Sequence, residues 1–425
     1  MQVKVSKTKN KLYGQTSVPA DKSISHRSIM FGSLAKGKTH VKNFLTSADC
    51  ISTLNIMKTL GVEINFIKET ELEIISEGKF ISPQKPLDCG NSGTTTRLIS
   101  GILARCPFTS TLIGDESLSS RPMKRIITPL SMMGADIKSQ DFKLPLTITG
   151  KNLNGITYNS PLASAQVKSC VLLAGLQAEG TTKVIEPYQS RNHTELMLEY
   201  MGANIKYKDN VTEITKSELT PQDIEVVGDI SSAAYLIAAG LIVPDSEIII
   251  KNVGLNPTRT GIIDVVKKMG GNIEILNETT ISNEKTGDLK IKYSKLKGTE
   301  ISKDIIPRLI DEIPIIAVLA SVAEGTTVIK DAQDLRNKES DRIKSVATEL
   351  KKIGANIKET PDGLIIEGEK TLNGDAEINT YHDHRLAMSL YIAGLICEKE
   401  ILINDFEWTK ISFPDFEKNI NLLFS

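Results

Sequence analysis

"LEYMGANI", residues 198–205, and "LKKIGANI", residues 350–357, carry the pattern that decides the fold. In both stretches an apolar helix tail ends at a Gly, and a strand follows. A Gly just past a helix readily takes the left-handed conformation that ends the helix. The same phrase recurs as "MKTLGVEI" (57–64), "LSMMGADI" (130–137) and "VKKMGGNI" (266–273). The recurrence predicts an internal repeat of α/β units.

A second phrase supports the repeat. A helix of small apolar residues leads through a turn into a β-branched strand in "SLAKGKTHV" (33–41), "LLAGLQAEGTTKV" (172–184) and "LASVAEGTTVI" (319–329). Looser copies lie at 102–112, 236–250 and 391–403. Successive copies are roughly 65 to 85 residues apart, so six units fill the chain, as two lobes of three. Ordinary helix-cap usage could produce one copy of the first phrase, in which a Gly follows a helix, but five copies at near-regular spacing argue against that explanation.

Composition limits the classes of function. A chain of 425 residues is too long for one ordinary core. Lys and Arg number 51 against 52 Asp and Glu, which argues against a protein that mainly binds nucleic acid. The five Cys are scattered, without a CxxC pair, and are expected to be buried thiols in a reducing compartment. With no apolar signal segment or membrane span expected, the sequence predicts a cytoplasmic protein.

Cations occupy an unexpected place in "VPADKSISHR", residues 18–27. Asp21 is a good N-cap, yet Lys22 follows in the first turn and Arg27 one turn later. The helix dipole favours anions at this end, so these cations have the wrong sign unless an anion joins them. "LDCGNSGTTTRLISG" (87–101) likewise approaches a helix through a turn whose backbone N–H groups could hold a phosphate or carboxylate.

Other stretches place polar or charged residues at predicted helix starts. They include Arg121 before Pro122, Ser164 and Gln166 in "ASAQVKS", Ser190, Arg191 and His193 in "QSRNHTE", Lys338, Glu339 and Arg342 in "KESDR", and His384 and Arg385 in "DHR". Lys338, Glu339 and Arg342 are expected to gather in the first helical turns, and Asp383 is expected to cap its helix. Lys410 in "WTKISFP" lies in a predicted short turn. Each alone has an ordinary interpretation as a cap, a solvated charge or a surface ion pair. Asp311 and Glu312 before an apolar helix could be an N-cap or a poised base.

Taken together, these cations belong to different repeats. If the helix starts converge, cations and dipoles meet where a small, multiply charged anion could bind, beside titratable Asp311 and Glu339. Two His two residues apart, His382 and His384, are a weak indication of a metal, and none is predicted.

In these residues the chain resembles the 5-enolpyruvylshikimate-3-phosphate synthase family of enolpyruvyl transferases. The motifs follow in order along the chain: "DKSISHR", "GNSGTTTR", "RPM", "SAQVKS", "DEIP", "KESDR", "DHR" and "K-x-S-F-P". The resemblance implies an α/β fold: a two-lobed inside-out barrel of six βαβαββ repeats, three per lobe. Lobe one would comprise 1–20 plus 229–425, and lobe two 21–228.

The resemblance also implies the reaction. The enolpyruvyl group of phosphoenolpyruvate would pass to the 5-hydroxyl of shikimate 3-phosphate, with release of phosphate, in aromatic amino-acid biosynthesis. No cofactor or metal is implied, and a monomer is expected. Asp311, Glu339 and Lys22 would carry proton transfer.

Substrate-binding residues follow from the same motifs. Shikimate 3-phosphate would contact Lys22, Ser23, Arg27, Ser164, Gln166, Ser190, Asp311 and Lys338. Phosphoenolpyruvate would contact Lys22, Asn91, Gly93, Arg121, Gln166, Arg342, His384, Arg385 and Lys410.

Departures from the common pattern point to a branch of the family. Position 165 is Ala where many members have Ser, and Arg191 and His193 occupy a segment where others carry a Tyr. These features resemble the second, more glyphosate-tolerant branch, although Gly93 is unsubstituted. The alternatives are a UDP-N-acetylglucosamine enolpyruvyl transferase, whose usual loop Cys is absent from "DESLSSRPM", and a non-catalytic anion-binding repeat protein.

Overall fold

The computed structural model describes residues 1–369 and 371–424. The chain forms two compact units. The terminal unit comprises Met1–Pro19, Val227–Thr279 and Lys285–Ser425, and the central unit comprises Ala20–Val226 with Thr280–Glu284. The lobes expected from the resemblance, 1–20 with 229–425 and 21–228, stay a prediction about domain organisation.

The regular elements alternate along the chain. In order, the strands are β1 (Val3–Val5), β2 (Tyr13–Ser17), β3 (Lys36–Lys42), β4 (Glu63–Lys68), β5 (Glu71–Glu77), β6 (Leu87–Asp88), β7 (Thr109–Ile113), β8 (Asp136–Gln140), β9 (Lys143–Thr149), β10 (Thr157–Asn159), β11 (Thr181–Ile185), β12 (Ile205–Lys208), β13 (Val211–Thr215), β14 (Ile224–Glu225), β15 (Glu247–Gly254), β16 (Asn272–Ile281), β17 (Glu284–Lys292), β18 (Glu300–Ile301), β19 (Thr326–Ile329), β20 (Asn356–Thr360), β21 (Gly363–Glu367), β22 (Ala376–Ile378) and β23 (Ile401–Ile403).

The α-helices are α1 (Lys22–Leu34), α2 (Ala48–Thr59), α3 (Gly93–Leu103), α4 (Glu116–Ser120), α5 (Lys124–Met132), α6 (Ala165–Gly175), α7 (His193–Tyr200), α8 (Ile230–Ile242), α9 (Gly261–Lys268), α10 (Ile306–Leu309), α11 (Ile313–Ser321), α12 (Arg342–Lys352), α13 (His384–Gly394) and α14 (Phe416–Asn421). Three short 3₁₀ helices span Lys303–Ile305, Gln333–Asn337 and Phe406–Ile411.

Within the described residues the strands form six sheets, three in each unit. The central unit holds β14-β3-β5-β4, β6-β7-β9-β8 and β10-β11-β13-β12. The terminal unit holds β2-β15-β17-β16, β18-β19-β21-β20 and the three-stranded β1-β23-β22. Each sheet contains one parallel pair extended on the antiparallel side, which confirms the prediction of a repeated α/β fold.

Two strands are exchanged between repeats. In most repeats the strand before a helix pairs with the strand after it, as β6 pairs with β7 around α3. By contrast, β2 precedes α1 but pairs with β15, and β14 precedes α8 but pairs with β3. The first strand, β1, pairs with β23 and so completes the last repeat with the start of the chain.

The core of each unit is helical. In the terminal unit every residue of α8, α11 and α13 is buried, and the three helices contact one another. In the central unit α3 contacts both α1 and α6. The strands bury alternate residues, as β5 does, so each sheet covers the helices with one face and turns the other outward. A helix buried all round is apolar all round, and its polar residues gather at its ends.

The repeated Gly behaves as the sequence predicts. Gly61, Gly134, Gly202, Gly270 and Gly354 follow α2, α5, α7, α9 and α12, with φ between 84° and 99°. This left-handed region is strained for residues with a Cβ, so the Gly ends the helix and releases the next strand. Within the described ranges no helix combines the length and the hydropathy that crossing a membrane requires.

Candidate active site

At the start of α1 the structure resolves the conflict between charge and dipole. Asp21 caps the helix by accepting a hydrogen bond from the Ile24 backbone N–H at 2.9 Å. Lys22, the first helical residue, places its Nζ 3.1 Å from a carboxylate oxygen of Asp49 in the first turn of α2. The anion that balances Lys22 in the free protein is therefore supplied by a neighbouring helix start.

Arg27 is buried and held by neutral groups. Its guanidinium donates to the hydroxyls of Thr194 at 2.7 Å and Ser169 at 2.8 Å, and to the carbonyl of Ser23 at 2.9 Å. Burial lowers the pKa of Arg27 to about 10, despite the attraction of Glu195, so the side chain stays cationic at neutral pH. Hydroxyl and carbonyl partners fix its orientation without neutralising its charge.

Arg121 lies beside Asn91. One of its terminal nitrogens donates to the Asn91 side-chain oxygen at 2.8 Å, and the Asn91 amide donates to Asp115 at 2.7 Å. The Nε of Arg121 is buried and lacks a hydrogen-bond partner among the described residues. The expectation that Arg121 opens a helix is wrong, because Arg121 ends α4 and the next helix begins at Lys124.

Gly93 begins α3 next to two guanidinium groups. A Cβ at this position would lie 2.8 Å from Nη1 of Arg97 and 3.6 Å from Nη1 of Arg121. Arg97 in turn donates to the side-chain oxygen of Gln166 at 2.5 Å, while the Gln166 amide donates to Thr94 at 2.9 Å. The starts of α3 and α6 therefore meet, with Gly93 leaving room for the Arg side chains.

Ser164 and Ser190 flank a buried carboxylate. Ser164 caps α6, and its backbone N–H donates to Glu186 at 2.9 Å. The Ser190 hydroxyl donates to the other oxygen of Glu186 at 2.9 Å. Sequence reasoning missed Glu186 and Asp49, and it left Arg97 out of the predicted site. A buried Lys on the apolar helix α6, Lys168, was the available signal, since a buried charge requires partners.

Arg342 organises a second cluster, in the terminal unit. It is the first residue of α12 and is buried, with its Nε 2.8 Å from Asp383. Its terminal nitrogens lie 3.2 Å from Asp311 and 2.6 Å from Glu339. Burial by itself would lower the pKa of Arg342, but the attraction of Asp383 and Glu339 raises it above its ordinary value.

The expectation that Lys338, Glu339 and Arg342 share the first helical turns is wrong. α12 begins at Arg342 after the N-cap Asp341, and the backbone at Lys338 is extended. The ion pair between Glu339 and Arg342 forms all the same, although Glu339 lies before the helix.

Asp311 and Glu312 separate into two roles. Glu312 is the N-cap residue of α11 and is buried, where Ser231 donates a hydrogen bond to it. Asp311, one residue earlier, lies 3.7 Å from Arg385 and 3.9 Å from Lys338, in addition to its contact with Arg342. Three cations surround the Asp311 carboxylate, which keeps part of its surface exposed.

The start of α13 joins this cluster. Asp383 caps the helix by accepting from the Arg385 backbone N–H at 3.0 Å. Burial would raise the pKa of Asp383, but its pairing with Arg342 lowers it. His384 is buried as the first residue of the helix. The sequence prediction that Asp383 caps this helix is confirmed.

The turn before α13 is strained. Tyr381 and His382 have φ of 53° and 57°, a region unfavourable for residues other than Gly. Buried Glu349 holds this turn, accepting from the Tyr381 hydroxyl at 2.7 Å and the Asn379 backbone N–H at 3.0 Å. The His382 ring stacks on Trp408, with centroids 4.9 Å apart.

Lys410, which the motifs assign to phosphoenolpyruvate, stays a predicted site residue. It is exposed on the 3₁₀ helix Phe406–Ile411.

His26, on α1 of the central unit, makes the stability of the protein depend on pH. Burial, aided by Lys22 and Arg27, lowers its pKa from 6.5 to about 3. Below pH 6.5 His26 is therefore protonated in the unfolded chain but stays neutral in the folded chain. The free energy of unfolding consequently falls as pH drops from 6.5 toward 3. Between pH 7 and 5 this loss is about 2 kcal/mol.

Urea unfolding of the protein and of His26→Asn at pH 7 and pH 5 measures the effect. The stability advantage of the unsubstituted protein is expected to shrink by about 2 kcal/mol at the lower pH. An advantage of equal size at both pH values would contradict a proton-excluding His26.

Comparisons with known proteins agree with this architecture. The sequence profile of EPSP synthase (3-phosphoshikimate 1-carboxyvinyltransferase) matches residues 6–420. The chain belongs to the EPSP synthase family. A 3-phosphoshikimate 1-carboxyvinyltransferase of Thermoanaerobacter sp. (strain X514) is 54% identical over 428 residues, covering 100% of each chain. The family membership predicted from the motifs is confirmed.

Solved structures of other proteins share the fold. EPSP synthase from Acinetobacter baumannii has a TM-score of 0.89 and 42% identity, and covers 100% of this chain and 98% of its own. The enolpyruvyl transferase NikO from Streptomyces tendae, at 16% identity, has a TM-score of 0.80 and covers 99% and 97%. That second likeness shows the fold alone. The predicted fold class is confirmed.

Proposed function

We propose that this chain is a 3-phosphoshikimate 1-carboxyvinyltransferase. It transfers the enolpyruvyl group of phosphoenolpyruvate to the 5-hydroxyl of shikimate 3-phosphate and releases phosphate. The observation that carries the proposal is the match of residues 6–420 to the EPSP synthase family. Of the alternatives, the UDP-N-acetylglucosamine transferase is not favoured by relatives that match the full length.

The chemistry needs a base, an acid and a cationic surrounding. In the addition step, the 5-oxygen of shikimate 3-phosphate bonds to C2 of phosphoenolpyruvate, the 5-hydroxyl loses its proton, and C3 gains a proton. In elimination, C3 loses a proton and the C2–oxygen bond to phosphate breaks. The intermediate carries both a phosphate and a carboxylate, so fixed cations stabilise it.

We assign the proton transfers to carboxylates of the Arg342 cluster. Asp311, surrounded by Lys338, Arg342 and Arg385, accepts the hydroxyl proton. Glu339, 2.6 Å from Arg342, is assigned the proton transfer at C3 of phosphoenolpyruvate. Lys22 shares the proton shuttle. The ion pairs with these cations hold the Asp311 carboxylate in place as the candidate base.

The binding assignments remain those implied by the family motifs. Shikimate 3-phosphate is assigned to Lys22, Ser23, Arg27, Ser164, Gln166, Ser190, Asp311 and Lys338. Phosphoenolpyruvate is assigned to Lys22, Asn91, Gly93, Arg121, Gln166, Arg342, His384, Arg385 and Lys410. Support comes from the contacts around helix starts: Arg27 keeps its charge among neutral partners, and Arg121 retains a buried donor without a partner among the described residues.

Phosphate release tests the function directly. The protein is incubated with phosphoenolpyruvate and either shikimate 3-phosphate, UDP-N-acetylglucosamine or no acceptor. Release is expected only with shikimate 3-phosphate. Release with the UDP-sugar would support the first alternative, and no release with any acceptor would support the non-catalytic one.

The setting of the enzyme is also proposed. All five Cys are buried free thiols, which supports a reducing compartment such as the cytoplasm. We further propose a monomer, no cofactor and membership of the more glyphosate-tolerant branch. The last proposal rests on Ala165, Arg191 and His193 in the sequence.

A further inference from the structure

A buried ionic triad contacts residues of the central unit that are assigned to shikimate 3-phosphate. Lys168 on α6 places its Nζ 2.7 Å from Glu195 on α7 and 3.0 Å from Glu186 after β11. All three side chains are at most 3% exposed. Burial acts against the charge of Lys168, but attraction to the two carboxylates raises its pKa above the ordinary value.

One arm of the triad, Glu186, holds two serines at once. One carboxylate oxygen accepts from the Ser164 backbone N–H at 2.9 Å. The other accepts from the Ser190 hydroxyl at 2.9 Å and its backbone N–H at 3.3 Å. Both serines are assigned to shikimate 3-phosphate above. Lys168 adds a second link between their segments, because its Nζ donates to the Ser190 backbone carbonyl at 3.3 Å.

The other arm, Glu195, stands beside the groups that hold Arg27. Lys168 comes directly before Ser169 in the sequence, and Glu195 comes directly after Thr194. The hydroxyls of Ser169 and Thr194 are 2.6 Å apart and both receive hydrogen bonds from Arg27. The ion pair therefore fixes the spacing of α6 and α7 at the point where they orient the guanidinium.

We propose that Lys168, Glu186 and Glu195 form a positioning triad that sets the geometry and charge of the shikimate 3-phosphate residues Ser164, Ser190 and Arg27. The proposal rests on the proposed function. The triad touches no reacting atom in its assigned role, so its members are positioning residues.

Stability alone does not account for these charges. A buried ion pair is often no more stabilising than apolar residues of the same volume, because removing charges from water is costly. The triad carries one net negative charge next to Arg27, and the attraction of Glu195 opposes the loss of the Arg27 proton on burial. Fixed ionic contacts also hold donors to fractions of an ångström, which a phosphate site requires.

Glu186→Gln provides the first test. The amide keeps an oxygen for the Ser164 backbone N–H but presents an NH₂ to Ser190 and Lys168, which are themselves donors. We expect KM for shikimate 3-phosphate to rise about tenfold while KM for phosphoenolpyruvate changes less than about twofold. A substitution that only loosened the fold would not separate the two substrates.

Asp288→Asn is the matched control. Asp288 in β17 of the terminal unit is also buried and accepts from a Lys, a backbone N–H and a side chain: Lys251, Asn252 and Asn277. It should lower Tm comparably and leave KM for shikimate 3-phosphate unchanged. An equal rise of that KM in both variants, or no rise in Glu186→Gln, would overturn the proposal.

Glu195→Gln serves if Glu186→Gln does not fold. It is combined with Arg27→Lys in a double-mutant cycle, and shikimate 3-phosphate affinity is measured by calorimetry without phosphoenolpyruvate. We expect the two losses to be non-additive by about threefold or more, since both act on one guanidinium. Additive losses would contradict the triad. Absence of any acceptor-dependent activity in the unsubstituted protein would instead defeat the proposed function.

Discussion

Replacing Asp311 with Asn is expected to lower turnover by about 10³-fold, the middle of the range for general acid–base catalysis. Asn has the same shape and can keep the contact with Arg342 at 3.2 Å, but it cannot accept the proton of the 5-hydroxyl. KM for each substrate should change by less than about threefold, because the substitution removes an interaction needed in the transition state. Steady-state kinetics with both substrates varied measures this split.

Glu339→Gln is the matched variant for Asp311→Asn. It replaces the neighbouring carboxylate on Arg342 and is expected to lower turnover by about 10²-fold with substrate binding near intact. Unchanged turnover in Asp311→Asn would remove Asp311 from proton transfer. A large fall in Asp311→Asn with none in Glu339→Gln would leave a single carboxylate in that role.

Replacing Lys22 with Met is expected to damage both binding and chemistry. Lys22 is assigned to both substrates and to the proton shuttle, so KM for each should rise about tenfold and turnover should fall about 10²-fold. The Lys22 ammonium group lies 3.1 Å from Asp49, and its flexible side chain can turn from this carboxylate to a substrate anion while the backbone stays at the helix start. Arg27→Lys, by comparison, should act mainly on KM for shikimate 3-phosphate.

The control for Lys22→Met removes its partner as well. Lys22→Met alone leaves Asp49 without this ion pair and removes one positive charge from the pair. The double variant Lys22→Met with Asp49→Asn restores the charge balance but not the ammonium. Recovery of turnover in the double variant would show that the single substitution acts through Asp49, contrary to the role assigned to Lys22.

Local patterns predicted the repeat because each signal lies within one unit. The Gly in "LKKIGANI" ends a helix through its own φ, which depends on the residue and not on distant partners. Caps behave in the same way: Asp21 and Asp383 bind backbone N–H groups two or three residues ahead. The predicted positions of these caps are therefore the ones observed.

Boundaries near functional residues were harder to predict. Arg121 was placed at the start of a helix and Lys338 within the first helical turns, but Arg121 ends α4 and Lys338 follows the 3₁₀ helix Gln333–Asn337, each before the next helix begins. The residues carry Pro or alternating charges nearby, and such segments are shaped by contacts rather than by propensity. Glu339 does pair with Arg342, but from a position before the helix and not through the helical spacing on which the expectation was based.

By itself the sequence determined the repeat, the helix caps, the family and the set of polar residues at helix starts. Only the tertiary structure decided their partners. Arg27 is oriented by Ser169 and Thr194, 142 and 167 residues away, and β2 and β14 pair with strands of distant repeats. Lys168 lies on an apolar helix, and only the folded chain shows its partners, Glu186 and Glu195. Caps and turns depend on energies local to the backbone, whereas buried charges are stable only when distant segments supply their counter-charges.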